Sequence, residues 1–263
     1  MVPPAVTPGA RDPLPGPVDL RIEGACARLR LTAPERRNAL DAATVEALHT
    51  ALRTAERTPG CRAAVLSASG PVFCSGLDPA VVTADAAQWA TVGDRMWELL
   101  TALATGPLVT AAVVTGRVTG GGVGLVSACD LVFAGPDASF RLTEALLGLV
   151  PATVLPFLTA RMGERAAFRA ALLAEEIDST AAGELGLADT VGDLPEQDVR
   201  RLLLALRRAP RPGAVAELKR CRDLLRGTPE GYPGYARGLL ADSLADPLVR
   251  ARVAALREEG LLP

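Results

Sequence analysis

Three consecutive glycines, Gly120-Gly121-Gly122, stand in the middle of the stretch GRVTGGGVGLVSACD, residues 116–130. Before them runs Val109 to Thr115, apolar and largely β-branched. After them, Gly124 to Cys129 carries small and apolar residues in a helical pattern. A strand that feeds a helix through bare glycines is confined to a strand–turn–helix unit, because only glycine readily adopts the backbone conformations of so abrupt a turn. The first N–H groups of a helix have no partner within it. Such a turn can therefore bind an anion or a developing oxyanion. The glycines alone leave a second reading open, a tight turn in which Gly124 eases close packing.

The rest of the chain fits an α/β organisation. Leu20, Ile22, Ala25, Ala27, Leu29 and Leu31 suggest a hairpin around Glu23-Gly24. Asp41 can cap a helix in which Val45, Leu48, Leu52 and Ala55 recur at helical spacing, ending near Pro59-Gly60. Ala63 to Ser67 reads as a buried strand, followed by a Ser69-Gly70 turn and a loop from Cys74 to Asp78. A helix is expected from about Asp85 to Ala104, and strands at Leu131–Ala134 and Phe140–Leu142. Beyond Pro195 the pattern is helical, with breaks near Pro210–Gly213, Thr228–Gly234 and Asp246-Pro247. Residues 1–17 hold six prolines and no apolar periodicity, and read as a disordered tail. The expected units are this tail, a core over 18–195 and a helical domain over 196–263. Strands alternating with helices imply an α/β fold.

Composition narrows the function classes. Aromatic residues are 3% and the net charge is −2, with arginines scattered among acids, which argues against nucleic acid as a partner. The apolar fraction of 49% is high for a soluble monomer and favours an oligomer. Two uncharged stretches, 99–116 and 145–160, are each shorter than the ~20 apolar residues of a membrane span and contain proline. Five cysteines, Cys26, Cys61, Cys74, Cys129 and Cys221, make an odd set without CxxC spacing and read as reduced thiols of a cytoplasmic protein. Met1 is followed by prolines rather than a basic and then apolar segment, so no export signal is expected.

Few side chains offer chemistry. The turn PVFCSGLDP, residues 71–79, is a second glycine corner after a strand. An N–H from Leu77, after Gly76, and one from Gly121 can converge as two donors on one carbonyl oxygen. Glu144 lies in the apolar stretch SFRLTEALLGLVP just after a strand; it is either a solvated first-turn carboxylate or an acid–base group whose pKa burial would raise. His49, the only histidine, falls off the apolar stripe of its helix and is expected on the surface, which weakens any serine-hydrolase reading. One histidine and scattered cysteines form no convincing metal set. Lys219, the only lysine, sits between basic neighbours and is expected on a solvated face. Asp78 is read as a cap ahead of the next helix or as a site carboxylate. Arg36 and Arg37 are either solvated or near a nucleotide phosphate.

PERRNALDAATVEAL, VFCSGLD, GRVTGGGVGLVSACDLVFAGPDASFRLTEALLGLVP and IDSTAAGELGLADTV, in that order and spacing, resemble the crotonase, or enoyl-CoA hydratase/isomerase, superfamily over roughly Asp19 to Gly192. The resemblance implies a spiral core of ββα turns and C-terminal helices that help build trimers, often paired into hexamers. It also implies a thioester enolate held by the N–H groups of Leu77 and Gly121, with Gly76, Asp78, Gly120 and Gly122 around the substrate. No bound cofactor is implied. The substrate would arrive on phosphopantetheine, carried by an acyl carrier protein or by CoA. Hydratases of this family carry two catalytic glutamates; one falls at Glu144, but the other position is Gly124 here.

The segment from Leu103 to Ala134, and then LTEALLGLVPATVLPFLTARMG, look like the crotonase-type dehydratases of polyketide β-branching, which combine that glycine, the retained glutamate and a VLPFL segment. This implies loss of water from a 3-hydroxy-3-carboxymethyl acyl thioester, such as 3-hydroxy-3-methylglutaryl, to a glutaconyl-type thioester. The decarboxylases of the same cassettes tend to place Lys, His or Tyr near the substrate carboxylate, and residues 79–95 contain none. A combined dehydratase–decarboxylase, a CoA-dependent hydratase or isomerase, and a non-catalytic acyl-binding subunit stand as the alternatives.

Overall fold

The computed structural model describes residues 16–78, 86–208, 213–226 and 230–258, with backbone alone for 86–90 and 225–226. Of the proline-rich tail expected over 1–17, residues 1–15 lie outside the described residues. Gly16 and Pro17 are held to the fold, their carbonyls accepting from the Thr32 hydroxyl and N–H, both at 3.0 Å.

The hairpin forms where expected. β1 (Val18–Glu23) and β2 (Cys26–Leu31) pair antiparallel across a two-residue corner, Gly24-Ala25, in which Gly24 takes a φ of +62°. α1 (Ala42–Arg57) is capped by Asp41, whose Oδ1 accepts from Thr44 N at 2.7 Å. β3 (Ala63–Ala68), β5 (Val109–Val114), β7 (Leu131–Ala134) and β10 (Thr190–Val191) then add in parallel. The resulting six-stranded sheet runs β1-β2-β3-β5-β7-β10. Its central strands are near-continuous apolar runs because both faces are covered. One face packs on α1, α2 (Ala86–Thr105) and α3 (Gly121–Ala128). On the other, Val199 of α7 (Pro195–Arg207) seals a small cluster with Val65, Ala111 and Phe133.

A second sheet is built from β4 (Val72–Cys74), β6 (Arg117–Thr119), β8 (Ser139–Arg141) and β9 (Ile177–Asp178). Each of β3, β5 and β7 is followed by one of these short strands, and β4 and β6 then lead into α2 and α3. That is the strand–strand–helix repeat of a ββα spiral. β4 and β6 are three residues each, too short to show alternation, so a sequence pattern cannot find them. α3 starts at Gly121, three residues before its expected start. A Cβ on Gly122 would stand 2.8 Å from Cys74 Cβ, so the glycine serves contact with β4 and its poor helix propensity is overridden by packing.

α4 (Leu155–Met162), α5 (Glu164–Leu173) and α6 (Ser179–Glu184) follow, and after α7 come α8 (Ala214–Arg226), α9 (Tyr232–Ala245) and α10 (Pro247–Glu258). The breaks fall near the expected places, except that Gly234 is inside α9, which starts directly after Gly231 (φ +88°).

Two surface expectations are corrected. Lys219 is 4% exposed: its Nζ lies 2.7 Å from Asp130 Oδ2 and donates to Leu103 O at 3.2 Å, so it docks α8 onto the ends of α2 and α3. His49 is 6% exposed, and its Nε2 has no hydrogen-bond partner. The α1–α2 contact widens the buried stripe of α1 enough to include it, and both burial and Arg53 lower its pKa. All five cysteines are free thiols; burial pushes Cys74 and Cys129 up to about 12.

Candidate active site

The two glycine corners meet. Leu77 forms an isolated parallel bridge with Leu40: Leu40 N donates to Gly76 O at 2.8 Å, and Asp78 N donates to Leu40 O at 3.0 Å. In a parallel bridge the central residue's own N–H points to the opposite side. Gly76, at φ +85°, backs directly onto the glycine run. A Cβ there would lie 3.0 Å from Thr119 O, 3.3 Å from Gly121 N and 3.4 Å from Gly120 Cα. Gly120 caps α3 at φ 53°, ψ −127°, and its N–H donates to Arg141 O at 2.9 Å. Leu77 and Gly121 line the same cavity, and neither N–H makes a hydrogen bond among the described residues.

Glu144 joins them from the end of β8. It opens a short 3-10 turn, Glu144–Leu147, which Gly148 closes at φ +76°. A Cβ on Gly120 would lie 3.4 Å from Glu144 Oε1, which sets the carboxyl against the glycine corner. The residue keeps some exposure, but its Oε2 is sealed from solvent and has no hydrogen-bond partner. Burial pushes the pKa from 4.5 to about 7, against an opposing pull from the backbone N–H groups of Glu144 and Thr143. Of the two readings of Glu144, the structure favours the buried acid over the solvated one.

Apolar groups make up most of the remaining wall: Val92, Met96, Leu149, Pro151, Val154 and, from α9, Leu240. Among the described lining residues Glu144 is the only titratable side chain, and Thr153 supplies a hydroxyl. The contributions of Met96 and Leu240 carry no signal in the sequence beyond apolarity. Val154 lies within the VLPFL segment, but its place beside Gly124 was not legible. Gly124 is buried, and a Cβ there would stand 2.9 Å from Val154 Cγ2. The space a second acid would need is occupied.

Asp78 follows Leu77 but is not among the described lining residues of the cavity; its carboxylate lies 3.6 Å from the Arg36 guanidinium, which also holds Asp41 at 2.7 Å. The segment that Asp78 was expected to cap lies outside the described residues. Arg37 is exposed with a left-handed backbone, and its carbonyl accepts from Ser75 N at 3.1 Å. A roomier cleft, about 400 Å³ against about 60 Å³, opens between the hairpin and the start of α7. Arg28 pairs there with Glu196 and Arg21 with Asp19, both at 2.8 Å, and the cleft holds neither Glu144 nor the two glycine corners. The smaller cavity is the one lined by Glu144, Leu77 and Gly121.

Comparison with known proteins identifies the family and the fold. The enoyl-CoA hydratase/isomerase family model matches residues 21–219. The bacillaene synthase dehydratase PksH of Bacillus subtilis is 30% identical over 249 residues, which cover 94% of this chain and 95% of that protein. The crystal structure of pksH from Bacillus subtilis matches with a TM-score of 0.81 at 28% identity, covering 94% and 98% of the two chains. That of an enoyl-CoA hydratase from Mycobacterium avium matches at 0.83 and 31%, with the same coverage. Among the described residues no helix is long and apolar enough to cross a membrane.

Proposed function

The chain belongs to the enoyl-CoA hydratase/isomerase family, and on that premise we propose that it is a one-carboxylate dehydratase of a 3-hydroxy acyl thioester. The observation that carries this reading is Glu144, the only titratable side chain among the described lining residues of an apolar cavity, with its Oε2 sealed and without a hydrogen-bond partner, beside two unpaired N–H groups. The thioester oxygen accepts from Leu77 N–H and Gly121 N–H, which acidifies the α-proton. Each such donor contributes on the order of 3 kcal/mol to an enolate-like transition state. Glu144 as carboxylate takes the α-proton and becomes the neutral acid. It then gives that proton to the β-hydroxyl, which departs as water with its C–O electron pair, while the enolate electrons form the new double bond. Glu144 ends as carboxylate, ready for another turnover. A syn elimination lets one group do both jobs, and a pKa of about 7 suits both.

The finer reading is a 3-hydroxy-3-carboxymethyl acyl group on an acyl carrier protein, dehydrated to a glutaconyl-type thioester. The likeness to PksH and the glycine at 124 support it. The exposed Phe168 and Leu172 on α5 support assembly as a homotrimer or hexamer. One observation favours a second reading, isomerase or dehydratase action on an uncharged acyl-CoA: no described lining residue is a cation that would meet a substrate carboxylate. The test is Glu144→Gln with a carrier-bound 3-hydroxy-3-methylglutaryl thioester, followed by mass spectrometry. Loss of water in the wild type alone supports the reading. Full dehydration by the variant, or loss of carbon dioxide as well, contradicts it. A parallel assay with the CoA ester separates the carriers.

A further inference from the structure

Position 124 lies one helical turn beyond Gly121, on the same side of α3. The volume next to it is filled: an added Cβ would stand 2.9 Å from Val154 Cγ2 and 3.4 Å from Leu100 Cδ1. Val154 is 4% exposed and lines the cavity that holds Glu144, Leu77 and Gly121. Its backbone is pinned. Val154 N donates to Pro151 O at 3.0 Å, and Val154 O accepts from Phe157 N and Leu158 N at 3.1 Å each. A β-branched side chain on a pinned backbone has little freedom to swing aside. The start of α4 therefore closes the α3 wall of the cavity with a hydrocarbon plug.

We infer that Val154 is the positioning residue that keeps this a one-carboxylate site. Its isopropyl group occupies the volume a side chain at 124 would take, closes that wall to water, and leaves the α-proton and the departing hydroxyl to Glu144 alone. The part concerning proton traffic rests on the reading of Glu144 given above; the packing and the seal do not.

The test uses the full chain as wild type, Val154→Ala, Gly124→Ala and the double variant. Gly124→Ala alone is expected to lower the Tm by about 3–10 °C through overpacking, and Val154→Ala in that background to recover at least about half of the loss. Val154→Ala alone is expected to admit water and move the acid limb of the pH–rate profile down by about half a unit or more, because solvation favours the carboxylate. Strictly additive Tm losses would overturn the inference. Coupled Tm values with an unmoved acid limb would also overturn it, reducing Val154 to packing. If no 3-hydroxy acyl thioester is dehydrated even by the wild type, the functional reading fails instead. The melts, and the Glu144 carboxyl titration followed by carbon NMR, then still decide the role of Val154.

Discussion

Replacing Glu144 by Gln should stabilise this protein, and only at neutral to alkaline pH. The side chain keeps its shape and loses the charge that burial opposes. Burial raises the folded-state pKa to about 7 from an ordinary 4.5. Between those values the folded chain holds a proton that the unfolded chain has released, so this group's contribution is fully present below pH 4.5 and is lost as the pH rises through 7. At about 1.36 kcal/mol per unit, the gap corresponds to roughly 3 kcal/mol of destabilisation at pH 8.5. The amide also gives up charge-assisted bonds from the Thr143 and Glu144 N–H groups, which leaves a net gain of about 2–3 kcal/mol. Urea unfolding of both proteins at pH 5 and pH 8.5 measures it. The variant should match the wild type near pH 5 and exceed it at pH 8.5. A difference independent of pH, or a wild type more stable than the variant at pH 8.5, would refute the reasoning. Such a result would mean that Glu144 is solvated or paired with a cation.

Gly76→Ala should lower stability by about 2–4 kcal/mol, since φ is +85° and the new Cβ meets Thr119 O at 3.0 Å. By displacing Leu77 N–H it should also cut kcat about 100-fold or more, measured where circular dichroism shows the variant folded. Asp130→Ala strands the buried Lys219 ammonium and the Arg222 guanidinium, 2.7 and 2.8 Å away, and should cost about 3–5 kcal/mol in urea unfolding. Lys219→Met should cost less, because it removes the buried charge rather than orphaning it. His49, whose pKa burial lowers from 6.5, contributes stability that is present above pH 6.5 and lost as the pH falls below it. His49→Phe should flatten that loss in melts taken from pH 7 down to pH 5.

Much of this site was legible from the sequence because its parts are backbone features. Glycine runs advertise corners, and Gly76 and Gly120 hold the positive φ values of the two corners that bring Leu77 and Gly121 to one cavity. Glu144 was legible as an acid in an apolar stretch after a strand. The hairpin, the Asp41 cap and the central strands follow from alternation, capping chemistry and apolar runs. What stayed hidden depends on tertiary contact. The helical pattern after the glycines started α3 three residues late, because contact with Cys74, rather than propensity, makes Gly121 and Gly122 helical. β4 and β6 exist because a neighbouring strand pairs with them. His49 and Lys219 look like surface residues until α2 and Asp130 are placed against them. No local pattern shows that Val154 fills the space beside Gly124, since the two residues lie thirty positions apart.

The most direct test of a single sealed acid–base group is the pH dependence of kcat/KM for dehydration of a carrier-bound 3-hydroxy acyl thioester. We expect one ionisation on the acid side, near pH 7, with the rate falling about tenfold per unit below it and no activity in Glu144→Gln. An acid limb near pH 4.5, two acid-side ionisations, or a Glu144→Gln enzyme that still eliminates water would contradict it.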